Sequence, residues 1–374
     1  MLVQQLTHVP AADRQAMSEG PRDSATHLRH AAAIPALGQI EIGGKASREI
    51  AGDTLKVVAW NVERLRHGDA IAATLAAQSP DVVLLSEVDN GMVRSGNGHP
   101  LRTLADRLGH TYAYGVEFVE LGGGNEAERA KTGEAANSEG FHGNAVTSAV
   151  PLQRPFLVRL DAAGGWFRPE RGQPRIGGRM AIGGQVLLGD SRVTVVSVHL
   201  ENRTDPAGRA DQTRHLLDAI DRYDPDAPVL IGGDFNTLTA THEERNDDPA
   251  GWRARIAAEP GRLIDNVERH EPLFEVLAGR GYGWQAANNL DVPTQRREAG
   301  NPAPVGRIDW FFARPCGKRP GGSARGVAGW PPELRSRSAA RDRAPGMKKD
   351  RRKVQPEKPA VVAVRITDSS SAPY

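Results

Sequence analysis

Residues 229–237 read Val-Leu-Ile-Gly-Gly-Asp-Phe-Asn-Thr. A short apolar run ending on two glycines predicts a buried strand, here Pro228–Ile231, whose far end opens into a loop. The glycines let backbone approach closely. If the extended conformation continues, Asp234 and Asn236 alternate onto one face. A carboxylate and an amide so placed can orient a water and take its proton, which suits attack on a phosphate ester. Read alone, the pair also fits an Asx-rich turn.

The same texture recurs along the chain. Leu55–Trp60 reads as a buried strand closed by Asn61, and Asp81–Leu85 as another closed by Ser86-Glu87. A carboxylate at the end of such a strand needs a partner, an ion pair or a metal. Mg²⁺ accepts one or two carboxylates plus waters and phosphate oxygens, so a single Glu there suffices. His199 ends the alternating strand Val193–Leu200, where an imidazole is either structural or placed for a phosphate oxygen and proton transfer. Asp309 stands between apolar neighbours in Gly306–Phe312 and also needs a partner. Asn144 precedes a strand and Arg179 opens one. Loops at strand ends can converge, so these residues are the candidates for one site.

Between the strand ends, helical spacing marks 69–78, 101–108 and 210–223, and Ser79-Pro80 stops the first of these. Residues 112–119 and 144–148 read as strands. Met180–Leu188 and Val193–Leu200 flank Gly189-Asp190 and predict a hairpin. Helices alternate with strands, yet hairpins occur, which points to mixed sheets. The Gly- and Glu-rich stretch 121–140 reads as a long surface loop. Residues 1–54, interrupted by Pro10, Gly20 and Pro21, read as a flexible leader with one short helix at most. A body over 55–314 follows, then a basic Pro/Gly/Arg-rich insertion or tail at 315–358, and a last strand in 359–367.

Net charge is +2, but 315–358 alone carries 13 Lys/Arg against 4 Asp/Glu, which leaves the rest acidic. Basicity confined to one stretch is a weak sign of a nucleic-acid face on the body. The lone Cys316 cannot form an internal disulfide. No run reaches the length of a transmembrane segment, and Met1–Ala11 has neither a basic nor an apolar leader, so a cytoplasmic protein is expected.

The pieces VVAWNVERL (57–65), DVVLLSEVD (81–89), GFHGNAVTS (140–148), RMA (179–181), VVSVHLENR (195–203), VLIGGDFNT (229–237) and GRIDWFFA (306–313), in this order, resemble the endonuclease/exonuclease/phosphatase superfamily with its DNase I-like and AP-endonuclease-like enzymes. The resemblance implies an α+β fold, a four-layer α/β/β/α sandwich of two packed mixed β-sheets flanked by helices. It implies Glu87 as the main Mg²⁺ ligand, with Asn61 and Asp309 assisting and Mn²⁺ as an alternative ion. It implies Asp234 as the water-activating base and Asn236 as the group orienting water or phosphate. His199 and Asn144 would contact phosphate, and Arg179 the substrate. The implied reaction is metal-assisted hydrolysis of a phosphodiester or phosphomonoester.

One family element is missing: a Ser-Asp-His before the final strand. No histidine follows His270, and Pro356-Glu357-Lys358 stands in that place. Either the chain has diverged, with Lys358 offering a cation, or 315–358 is an aberrant stretch. Three functions follow: an active phosphodiesterase, nucleases included; a phosphate-ligand or nucleic-acid binder without turnover; and a lipid or inositol phosphatase. An acidic body disfavours a long DNA footprint, while the basic stretch could serve nucleic acid or an anionic membrane surface.

Overall fold

A computed structural model of the 374-residue chain describes residues 1–50, 54–133, 135–161, 163–168, 172–264, 266–290, 293–295, 305–315 and 360–365. The chain starts with β1 (Leu2–Val3), α1 (Ala11–Glu19), α2 (Ser24–Ala33) and β2 (Ile40–Gly44). Then come β3 (Thr54–Arg64), α3 (Gly68–Gln78), β4 (Val82–Asn90), α4 (Pro100–Leu108), β5 (Thr111–Glu120), α5 (Glu126–Thr132) and β6 (Phe141–Ser148). The second half holds β7 (Gln153–Arg159), β8 (Arg175–Gly177), β9 (Met180–Leu188), β10 (Ser191–His199), α6 (Pro206–Tyr223), β11 (Val229–Asp234), α7 (His242–Asn246), α8 (Pro249–Ala258), α9 (Leu273–Gly279), β12 (Asp309–Arg314) and β13 (Ala360–Arg365).

The strands form two mixed sheets. One runs β1-β2-β5-β6-β4-β3-β13, with β8 also on β5; the other runs β12-β11-β10-β9-β7. The strands decode why their sequences are apolar runs. On β3, Leu55, Val57 and Ala59 point between the sheets, and Val58, Trp60 and Val62 point to the outer layer of the first sheet. On β10, Val193 and Val195 face the other sheet, while Val196 and Val198 face α6 and α9. Strands buried on both faces lose the polar half of the alternation. Each fully buried Val or Leu contributes about 1.5–3 kcal/mol. The result is the expected four layers, with helices outside both sheets and three apolar layers between.

The glycines of the 229–237 motif earn their place here. A Cβ on Gly232 would meet the Phe311 ring at 2.6 Å and Leu84 at 2.9 Å, in the seam between the sheets. Gly233 has φ +147, and a Cβ there would lie 2.1 Å from the Val198 carbonyl.

Residues 1–44 correct the expectation of a flexible leader. β2 pairs antiparallel with β5, and β1 adds to β2. Leu6, Val9, Ile34, Ala36 and Leu37 join the outer core beside Tyr112, Tyr114 and Val116. Buried Arg14 donates to the carbonyls of Asn137 at 2.6 Å and Glu139 at 2.8 Å. The segment is built from short elements that each give only a few apolar residues to a core that β3, β4, β5 and two helices already supply, so no window of it shows strong periodicity. The stretch 121–140 is also not all loop: Asn125 and Glu128 form a capping box that starts α5.

β13 pairs antiparallel with β3, from Ala360 opposite Ala59 to Arg365 opposite Thr54. Apart from Pro315, the basic stretch 315–358, with Cys316 and Pro356-Glu357-Lys358, lies outside the described residues. No helix among the described residues is long and apolar enough to cross a membrane.

Candidate functional site

Six of the named residues meet where the ends of both sheets come together. On the second sheet, His199 is in register with Asp234, and Asp234 with Asp309, so three polar side chains stand on three adjacent strands. On the first sheet, Asn61 ends the regular pairing of β3 and lies opposite Ser86. Ser197 Oγ donates to the Leu85 carbonyl at 3.0 Å and ties the two sheets just below.

Glu87 is aimed by a bulge. The β4–β6 register shifts between Leu85 and Val88, and Glu87 itself has φ +56. A bulge inserts a residue and redirects its side chain. Asn61 Nδ2 then donates to Glu87 Oε1 at 3.0 Å and to Asp234 Oδ2 at 3.1 Å. Its own oxygen accepts from the Glu63 N–H at 3.1 Å. One amide nitrogen thus bridges two carboxylates, one from each sheet. Beyond it, Glu63, Arg64 and Leu65 all have positive φ, a run that costs energy in non-glycine residues. Arg64 is held there by Glu128 at 2.8 Å and stands 3.7 Å from Glu87 Oε2.

A second bulge, between Val116 and Phe118, sets Glu117. Glu117 was not singled out from the sequence; it lies inside an apolar strand and shows no motif. It pairs with Arg179 Nη1 at 3.0 Å and lies 3.5 Å from His199 Nδ1. On the other side His199 Nε2 is 3.9 Å from Asp234 Oδ2. The imidazole therefore stands between two carboxylates. Arg179 also donates from Nε to Glu201 at 3.1 Å.

These neighbours set the protonation preferences. Burial pushes the Glu87 carboxyl up, but Arg64, His199, His142 and the Asn61 amide outweigh it and hold the group well below the usual range. Burial raises Glu117 as well, yet Arg179 and His199 bring it down to about 2. Burial raises Asp234; His199, the Asn61 amide and the Asn236 N–H oppose this without cancelling it, and nearby Glu87 adds to the rise. Burial and Arg179 lower His199, but Glu117 and Asp234 prevail, so the ring protonates more readily than a free imidazole.

Three candidates stand differently from the sequence expectation. Asn236 does not continue the strand: it has φ +48, its N–H donates to Asp234 Oδ1 at 2.9 Å, and its Nδ2 donates to the Leu200 carbonyl at 2.8 Å. β11 ends at Asp234, and the Asx turn that its Oδ1 forms with the Asn236 N–H replaces the alternation. Arg179, buried, is taken up by Glu117, Glu201 and His199, which places it behind the imidazole. Asn144 is fully buried, and its Nδ2 donates to the Met180 carbonyl at 3.0 Å.

The oxygen donors at the centre fit a hard divalent cation. Glu87 and Asp234 share one amide nitrogen, and the Glu87 side chain keeps 23% of its surface exposed. Among the described residues no group of three or more His, Cys, Asp or Glu side chains is placed to hold a metal ion by itself. Mg²⁺ keeps several waters and takes one or two protein carboxylates, so it needs none.

A family model described as "Endonuclease/Exonuclease/phosphatase family" matches residues 58–332. Among solved structures, the chain is similar to an endonuclease/exonuclease/phosphatase from Beutenbergia cavernae DSM 12333, at 25% identity and a TM-score of 0.42, over 70% of this chain and 64% of that one. It is also similar to a humanized D. rerio TDP2, at 16% identity and a TM-score of 0.43, over 71% of this chain and 85% of that one. The human Nocturnin catalytic domain matches at 14% identity and a TM-score of 0.43, over 73% of this chain and 84% of that one. No curated protein matches the chain.

Proposed function

The chain belongs to the endonuclease/exonuclease/phosphatase family, and from that premise we propose that it is a Mg²⁺-dependent phosphoesterase, acting on phosphodiester or phosphomonoester bonds, nucleic acid among them. The observation that carries this reading is the Asn61 amide bridging Glu87 and Asp234 across the two sheets. Two carboxylates brought together at a partly open site favour a bound cation.

Glu87 would hold the ion, with Asp309 and Asn61 beside it. For Asn61 to lend its oxygen, the amide must release the Glu63 N–H. The bound ion would supply positive charge to the phosphoryl oxygens. Asp234, whose carboxyl burial has raised toward a better proton acceptor, takes the proton of the attacking water. Asn236 holds Asp234 Oδ1 through its N–H and ties the loop after β11 to the loop after β10. His199, whose protonated form Glu117 and Asp234 favour, would donate toward a phosphate oxygen or the leaving group. Arg179 and Asn144 act through their neighbours: Arg179 fixes the ring, and Asn144 fixes the start of β9.

The domain reading follows: residues 1–314 and β13 form one body, and 315–358 is an insertion before its last strand. The test is hydrolysis of plasmid DNA, abasic DNA and bis-p-nitrophenyl phosphate with Mg²⁺ and with EDTA. Turnover that needs the ion and is lost in Glu87→Gln and Asp234→Asn supports the reading. Absent or metal-independent turnover on every substrate refutes it. Phosphate-ligand binding without turnover would favour the second reading, a binding protein, which the lack of any histidine after His270 motivates.

A further inference from the structure

The loops that follow β10 and β11 leave the site side by side, joined by the Asn236 bond to the Leu200 carbonyl. The next residues along each loop receive two arginines from the 242–262 segment. Arg245 donates from Nη2 to the Asn202 carbonyl at 3.1 Å and from Nε to the Thr241 carbonyl at 3.3 Å. Arg262 donates from Nη2 to the Thr239 carbonyl at 2.8 Å and from Nε to Thr239 Oγ1 at 3.2 Å. Each guanidinium is fixed by one edge and keeps Nη1 out of these bonds.

Neither has a carboxylate within ion-pair distance among the described residues, although Glu243 and Glu271 act on Arg245 from farther off and Glu259, bonded to His270, lies near Arg262. Arg245 also faces Arg209, whose own charge is spent on Glu271 at 2.6 Å. Burial and that like charge together lower the Arg245 pKa. Both arginines are half-buried. The carbonyls they grip, 239 and 241, are two residues apart, at most about 7 Å along the chain. Next to Asn202, Arg203 lies over the half-buried Trp166 ring at 4.4 Å.

Cations anchored on carbonyls are donors in search of an anion. Their place beyond the carboxylate centre, on the loops that lead away from it, matches a substrate with more than one phosphate. Arginine beside an aromatic ring is the pairing used for nucleic-acid strands. We propose that Arg245 and Arg262 form a subsite for a second phosphate of an oligonucleotide substrate, beyond the ester that is cleaved. This rests on the phosphoesterase reading above.

The experiment compares a dinucleotide with the same dinucleotide carrying a terminal phosphate, under Mg²⁺. The wild-type protein should prefer the phosphorylated form in kcat/KM, and Arg245→Gln/Arg262→Gln should reduce that preference about tenfold, the value of one strong charged contact. Arg255→Gln, which removes a half-buried arginine of α8 paired with Asp248, should leave the preference intact. In parallel, anisotropy of a fluorescein-labelled trinucleotide in EDTA should show a Kd about tenfold weaker in the double variant, with a shallower salt dependence. If wild type shows no turnover, the function proposed above fails, and the anisotropy arm still decides this inference. Unchanged preference and unchanged Kd overturn it, as does arginine-dependent binding of a soluble inositol bisphosphate without binding of the trinucleotide. Single variants, checked by circular dichroism, replace the double one if that fails to fold.

Discussion

Asn61→Asp keeps the shape of the side chain and turns the bridging donor into a third carboxylate. The amide nitrogen now lies 3.0 Å from Glu87 Oε1 and 3.1 Å from Asp234 Oδ2. At an effective dielectric near 20, each new like-charge pair at that separation repels by about 5.5 kcal/mol. A carboxyl can escape by keeping a proton, and holding one at pH 7 against an ordinary Asp costs about 4 kcal/mol. The two repulsions exceed that cost, so the variant folds with an extra proton, and the smaller figure caps the electrostatic loss. The new folded-state pKa lies above the unfolded one. The penalty is therefore absent below the unfolded pKa and grows by about 1.4 kcal/mol per pH unit as pH rises toward the folded one. In urea unfolding with EDTA, Asn61→Asp should be less stable than wild type by about 4 kcal/mol at pH 7 and about 1.5 kcal/mol at pH 5. Asn61→Ala loses only hydrogen bonds to charged acceptors, about 3 kcal/mol, without that slope. Mg²⁺ should recover part of the Asn61→Asp deficit. A deficit under about 1 kcal/mol at pH 7, or the same deficit at both pH values, would show that the two carboxylates do not meet around residue 61.

Arg209→Ala should cost about 3–5 kcal/mol in urea unfolding, because it strands the fully buried Glu271 carboxylate that Arg209 grips at 2.6 and 3.0 Å; a loss under about 1 kcal/mol would contradict the pairing. Gly233→Ala must place a Cβ 2.1 Å from the Val198 carbonyl at φ +147, so thermal unfolding should show a loss of about 3 kcal/mol or an insoluble protein. Glu117→Gln removes a carboxylate that raises the His199 pKa, so the His199 ring resonance should titrate at lower pH in NMR, and an unmoved midpoint would remove Glu117 from the site.

Legibility in the sequence followed the number of buried faces. Strands β3, β4, β10 and β11 pack on both sides, so their apolar runs announced them, and the polar residue ending each run was conspicuous. β2 contributes Ile40 to a core that β3, β4, β9 and β10 largely supply, and its five residues give no period to read. The site residues divide the same way. Asn61, Glu87, His199, Asp234 and Asp309 stand where an apolar run stops, at a strand end or at a bulge, and an unmatched polar group interrupts the pattern. Glu117 lies inside β5 and is turned by a bulge, which leaves no trace in residue spacing. For Asn236, nothing in Asp-Phe-Asn distinguishes a continued strand from an Asx turn; the Asp234 Oδ1 bond to the Asn236 N–H decides it.

The carboxylates around the site look alike in sequence, yet the structure sorts them by how closely a cation approaches. Asp89 and Glu120 hold Arg94 at 2.8 and 3.1 Å, Glu120 holds Arg175 at 2.9 Å, and Glu117 and Glu201 hold Arg179 at 3.0 and 3.1 Å. Those charges are spent, and because they are buried, removing either partner would be costly. Glu87 has Arg64 only at 3.7 Å, and Asp234 has His199 only at 3.9 Å. Attraction falls with distance, and both gaps exceed a hydrogen bond. These tight pairs leave Glu87 and Asp234, which the two sheets bring onto a single amide, with cations only at longer range. In the function proposed above, a bound cation would answer these two carboxylates, and Arg245 and Arg262, anchored on the loops that follow β10 and β11, would take an anion beside it.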